Sequence, residues 1–147
     1  MVHDLSGITG IAHVIQLAVA PVFLLTGVGA ILSVLVNRLG RVVDRSRVLE
    51  ATCTGAPPQI APDVQAEMSS LTRRARMIHW AIGLCTGCAL LVCVVIAALF
   101  IGSIAGVEVS GVIAALFIAA MLLLVAGLLC FLREIALAIA RVHAAPR

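Results

Sequence analysis

Three stretches without a single charged residue constrain this chain more than anything else in it: 8–36, 78–105 and 112–132. A helix needs about 20 consecutive apolar residues to cross the hydrocarbon of a bilayer, and each stretch meets that length. Apolar residues make up 63% of the 147 and charged residues 12%, too little polar surface for a soluble domain of this size. The first stretch does not read as a signal peptide. Its flank, "MVHDLSG", has no Lys or Arg, and no polar cleavage region follows it. The expected fold is an all-α membrane protein with three transmembrane helices.

The basic residues set an orientation. All ten are arginine. Arg38, Arg41, Arg45, Arg47, Arg73, Arg74 and Arg76 lie between spans one and two, and Arg133, Arg141 and Arg147 follow span three. Three spans put both groups on one side, so the positive-inside rule predicts an outer N-terminus and a cytoplasmic C-terminus. The net charge of +3 then belongs to the inner face. Contact with the lipid bilayer accounts for it; nucleic acid does not, because aromatic stacking platforms are missing.

The segment between spans one and two reads as a module of its own. Leu39, Val42 or Val43, and Leu49 recur at helical intervals, as do Val64, Met68, Leu71, Ala75 and Ile78. The Pro- and Gly-rich "TCTGAPPQIAP" separates them, and Asp63 is placed to cap the second helix, with Glu67 favouring its dipole. Spans one and two are therefore expected to continue into a cytoplasmic helical hairpin. The resulting order is an outer N-terminus (1–7), transmembrane helix one (8–36), the hairpin (37–77) and transmembrane helix two (78–105). An outer loop (106–111), transmembrane helix three (112–132) and a cytoplasmic tail (133–147) complete it.

Three quoted stretches carry a family resemblance: "IQLAVAPVFLLTGVGAILSVLVNRLGRVVDRSRVLE", "LTRRARMIHWAIGLCTGCALLVCVVIAALFIG" and "AMLLLVAGLLCFLREIALA". In order and spacing they resemble the bacterial domain of unknown function 2721 family of small membrane proteins. The resemblance covers nearly the whole chain. It implies three spans in a bacterial inner membrane and transfers no catalytic residue.

Chemical motifs are sparse. Cys85 and Cys88 form a C-x-x-C in span two, with Cys93 following, and Cys130 lies on span three. A redox or metal site needs thiolates, access and further ligands, whereas cysteine within an apolar helix acts as a small packing residue. Cys53 is placed on the inner side, where a reducing cytoplasm disfavours disulfides. His13 and His79 belong to opposite ends of their spans and cannot share one haem within a protomer. No metal, cofactor or enzyme active site is expected.

The polar content of span one carries the functional expectation. On a helical wheel His13, Gln16, Ala20, Phe23, Gly27, Ala30, Val34, Arg38, Arg41 and Arg45 share one broad sector. That face runs from polar through small and apolar to basic. In one reading Gly27 and Ala30 permit close helix packing, Gln16 makes an interhelical hydrogen bond and the arginines meet lipid phosphates. In the other the face lines the axis of a homo-oligomer, because a lone Gln in a span requires a partner or water. Arg38, Arg74 and Glu134 fall at the same level and are candidates for an inner-interface ion pair. The leading expectation is a channel-like or transport-related homo-oligomer in which ions would be the species carried. The alternative is a membrane scaffold acting through its hairpin, and a weaker third reading is an accessory subunit of a redox complex.

Overall fold

In a computed structural model the described residues are helical except Gly106 and Val109. The backbone is described for residues 2–53, 61–106 and 109–144, and side chains for 12–51, 65–106 and 109–136. Helix α1 spans Val2–Cys53, α2 spans Ala61–Ala105 and α3 spans Ser110–Ala144. Each is long and apolar enough to cross a membrane, as the three charge-free stretches require.

The helices outrun the expected boundaries where nothing in the sequence stops them. α1 begins at Val2 and continues through Pro21, whose ring removes one intrahelical hydrogen bond. α2 begins at Ala61, so Asp63 lies in its first turn and is not the cap. Pro62 is compatible with that start because the first turn's N–H groups have no intrahelical acceptor. The turn at 54–60 lies outside the described residues. α2 ends before Gly106, whose φ of 64° is the left-handed geometry that closes helices. α3 starts ahead of the expected 112: the Ile113 N–H already donates to the Val109 carbonyl at 3.0 Å. It then passes Leu132 and stays helical to Ala144, since "REIALAIARVHA" contains no breaker.

Two compact units make up the structure. The first comprises Met1–Ile31 and Leu84–Val125, the second Leu32–Gly83 and Ala126–Arg147. In the first unit Val14, Ala18 and Val28 of α1 are buried, with Cys85, Cys88, Val92 and Val95 of α2 and Ala120 and Leu124 of α3. Gly87 admits Leu123 to within 3.4 Å of where a Cβ would stand. In the second unit Leu35, Val42 and Leu49 of α1 are buried with Leu71, Ile78 and Ala81 of α2.

A seven-residue period runs through these positions. On α1 the series 14, 21, 28, 35, 42, 49 is buried at every step, Pro21 included. On α2 the series 71, 78, 85, 92 and the offset series 81, 88, 95, 102 are buried, and on α3 so are 120, 127 and 134. Heptad spacing keeps one stripe of each helix against its neighbours with knobs-into-holes packing. The C-x-x-C cysteines belong to this stripe: Cys85 and Cys88 are fully buried, whereas Cys93 is exposed.

The stripe makes a testable distinction among cysteines. Cys88→Leu inserts volume into a filled seam and is expected to cost about 1–3 kcal/mol. Cys93→Leu, on the outer surface, should stay within about 0.5 kcal/mol. Thermal unfolding of both variants in detergent measures the difference, and equal midpoints would contradict the packing assignment.

Candidate functional site

The densest polar chemistry of the described residues lies in the second unit, around Glu134 of α3. Its side chain is 1% exposed. The Arg38 guanidinium of α1 donates from Nη1 to Oε2 at 2.7 Å. Arg74 of α2 donates from Nε and Nη2 to Oε1 at 3.1 and 2.9 Å. One carboxylate thus receives three charge-assisted hydrogen bonds from two helices. Arg38 also stacks over Phe131, 5.3 Å from the ring centroid, a residue one turn before Glu134 on α3. A buried carboxylate without partners would cost several kcal/mol; here both oxygens are occupied. Each arginine keeps about a third of its surface exposed.

A second pair lies seven residues along both helices. Arg45 donates from Nε and Nη2 to Glu67 Oε1 at 3.2 and 3.0 Å. Arg38 and Arg45 are a heptad apart on α1, as Glu67 and Arg74 are on α2, so both ion groups follow the buried stripe. Arg45 and Glu67 are about half exposed, and such pairs contribute at most about 1 kcal/mol. Arg41, between Arg38 and Arg45, has no partner among the described residues. Together Arg38, Arg41, Arg45, Arg74 and Glu134 line a cavity of about 310 Å³, floored by Val42, Leu71 and Ile78.

The remaining candidates of span one lie elsewhere. His13, Gln16, Ala20, Phe23, Gly27, Ala30 and Val34 are all exposed. The reason is geometric. Gln16, two residues from Val14 on a helix turning about 100° per residue, faces away from the buried stripe. Phe23 and Ala30 repeat that phase at seven-residue intervals. A Cβ on Gly27 would meet nothing within 4 Å in the chain, so the expected close packing at Gly27 does not occur within the protomer. The Thr26 hydroxyl is satisfied by the Val22 carbonyl at 3.4 Å, but Gln16 has no partner among the described residues. In the first unit a separate cavity of about 630 Å³ is walled by apolar residues, including Val14, Leu17, Pro21, Leu99 and Phe117. Its few polar groups, such as Ser103 and Ser110, offer no acid–base pair. Among the described residues no three His, Cys, Asp or Glu side chains converge as metal ligands would.

Sequence reasoning placed Arg38, Arg74 and Glu134 at one level but missed the stacking of Arg38 on Phe131, the Arg45–Glu67 pair and the arginine-lined cavity. Heptad spacing of opposite charges on two antiparallel stripes was the signal for the second pair.

The two ion groups differ in what their loss should do. Glu134→Ala leaves two guanidiniums around an empty seam position and is expected to destabilise by about 3 kcal/mol, the low end for breaking a buried pair, because both arginines retain solvent contact. Glu67→Ala should cost about 0.2–1 kcal/mol. Denaturation in detergent compares them; similar losses would show that burial does not set the scale.

No curated protein and no solved structure matches the chain. A family match runs over residues 18–144 and takes in α1 from residue 18, all of α2 and α3, and Arg38, Arg74 and Glu134. By that match the chain belongs to the family described as protein of unknown function, DUF2721.

Proposed function

We propose that the protein works as a homo-oligomeric, channel-like or transport-related assembly of the bacterial inner membrane, with α1 lining its axis. The observation that carries this reading is the uncovered face of α1. It holds Gln16, an exposed amide without a partner among the described residues, on a helix whose opposite side is already packed. Within a membrane such an amide requires another chain or water. Symmetry supplies either one, since three helices alone enclose little. In this arrangement Gln16 forms an outer polar ring, and Phe23, 73% exposed, an apolar constriction that gates by dewetting. Arg41 lies toward the inner mouth. Gly27, open in the protomer, is where a second copy approaches.

A second reading is favoured by the extensions of α1 and α2. The Arg45–Glu67 pair and the buried Leu49 and Leu71 hold them side by side. Arg47, Arg73 and Arg76 remain exposed. As a cytoplasmic helical hairpin, this element could serve a scaffold that docks another protein.

Gly27→Leu and Phe23→Ser test the first reading together. A Cβ at 27 meets nothing within 4 Å inside the chain, so a smaller or unstable oligomer by native mass measurement would report contact between copies, at a cost of about 1–3 kcal/mol. Phe23→Ser should wet the axis and raise ion flux in liposomes above a tight wild type. An unchanged oligomer with Gly27→Leu and tight Phe23→Ser liposomes would leave the scaffold reading standing.

Orientation has its own test. Ser69 is exposed on α2. In a background without the native cysteines, Ser69→Cys should react with an impermeant maleimide in inverted vesicles and not in intact spheroplasts. The opposite pattern would reverse the topology.

A further inference from the structure

The cavity of the second unit holds more positive charge than its own acids neutralise. Four arginines line it, with one glutamate. Glu134 is shared by Arg38 and Arg74, and Glu67 engages Arg45. Arg41 has no acid among the described residues. Counting Glu67 with the lining, four cations face two anions. Donors are also in excess. A guanidinium carries five N–H groups, and Arg38, Arg45 and Arg74 commit only some of theirs. The cavity is large enough, at about 310 Å³, for a phosphate with its substituents.

Its position names the chemistry more closely. The apolar run of each helix meets charge here: Val36 precedes Arg38, Ile78 follows Arg76, and Leu132 precedes Arg133. Trp80, exposed one turn beyond Arg76, is the residue type that anchors at the membrane–water boundary. Basic pockets between helices at that level suit phospholipid headgroups. Val42, Leu71 and Ile78 supply an apolar wall beside the arginines. Glu134 keeps Arg38 and Arg74 in place, so the cavity is arranged before any anion arrives, which lowers the cost of binding.

We propose that this cavity binds a phosphate group, carried by an anionic phospholipid or as free phosphate, with Arg41 as its unshared ligand and Arg38, Arg45 and Arg74 closing around it. The site shares Arg41 with the inner mouth of the axial reading but does not depend on that reading.

Native mass spectrometry of the full chain in detergent tests it, with phosphatidylglycerol and phosphatidylcholine offered in equal amounts. The wild type should retain phosphatidylglycerol in preference. Arg41→Gln removes a charge with no partner to orphan among the described residues, and should lower retention about tenfold, the scale of one charge-assisted contact. Arg73→Gln removes the same charge from an exposed position on α2 outside the cavity and should leave retention within about twofold. A parallel arm adds excess inorganic phosphate. Retention that survives it identifies the lipid as the source, whereas displacement that is lost in Arg41→Gln identifies free phosphate. Equal losses in Arg41→Gln and Arg73→Gln, or no preference between the two lipids and no effect of phosphate, would overturn the site.

Discussion

Glu134 ties three helices with one carboxylate. Its burial is tolerable only because Arg38 and Arg74 each bring a guanidinium to it, and their convergence sets the register of α1 and α2 against α3 in the second unit. In an apolar seam, van der Waals contacts between aliphatic side chains discriminate weakly between neighbouring registers. A shift of one residue would leave a charged group without its partner, which is far more costly. The same logic places Arg45 on Glu67 one heptad further along, where exposure makes the pair weaker. The arginine-lined cavity follows from this arrangement, because two acids cannot neutralise four cations.

The heptad stripe explains why the rest of the polar content is where it is. Val14, Val28, Leu35, Val42 and Leu49 occupy one side of α1 and are buried. Gln16, Phe23 and Ala30 are therefore turned outward. The C-x-x-C of α2 falls on the stripe, and Cys85 and Cys88 serve the close approach of helices. Their spacing resembles a redox motif, but Val92, Val95 and Ala120 are buried with them in the same unit. Both proposals, an α1-lined axis and a phosphate-binding cavity, depend on groups that the three-helix packing leaves over: an amide on one face and a cation at one end.

Part of the site was legible before the structure. Arg38, Arg74 and Glu134 stand at the ends of their apolar runs, and the length of a membrane span puts such ends at one level. Level alone does not say which side chain meets which. Arg41 and Arg45 had the same claim on Glu134 from their spacing, and Arg133 is its immediate neighbour. Only the rotation of each helix about its axis separates them, and in a span where nearly every position is apolar that rotation leaves no trace in hydropathy. The small volumes of Gly27 and Ala30 suggested a seam within the protomer as readily as Val28 and Leu35 did, which are the residues buried there.

Helix number, and the fact that each helix is long and apolar enough to cross a membrane, are determined by the sequence itself. Backbone groups in hydrocarbon must satisfy one another within the segment, so a charge-free run of sufficient length has one regular solution. The faces that pack were decided by the tertiary structure alone. In water a buried stripe is announced by polar residues on the opposite side. In lipid both sides are apolar, and the choice rests on shape: which set of Val, Leu, Cys and Ala side chains interlocks at seven-residue spacing. That choice buried Cys88 and Glu134, left Gln16 and Arg41 without partners among the described residues, and so determined which residues remain available for function.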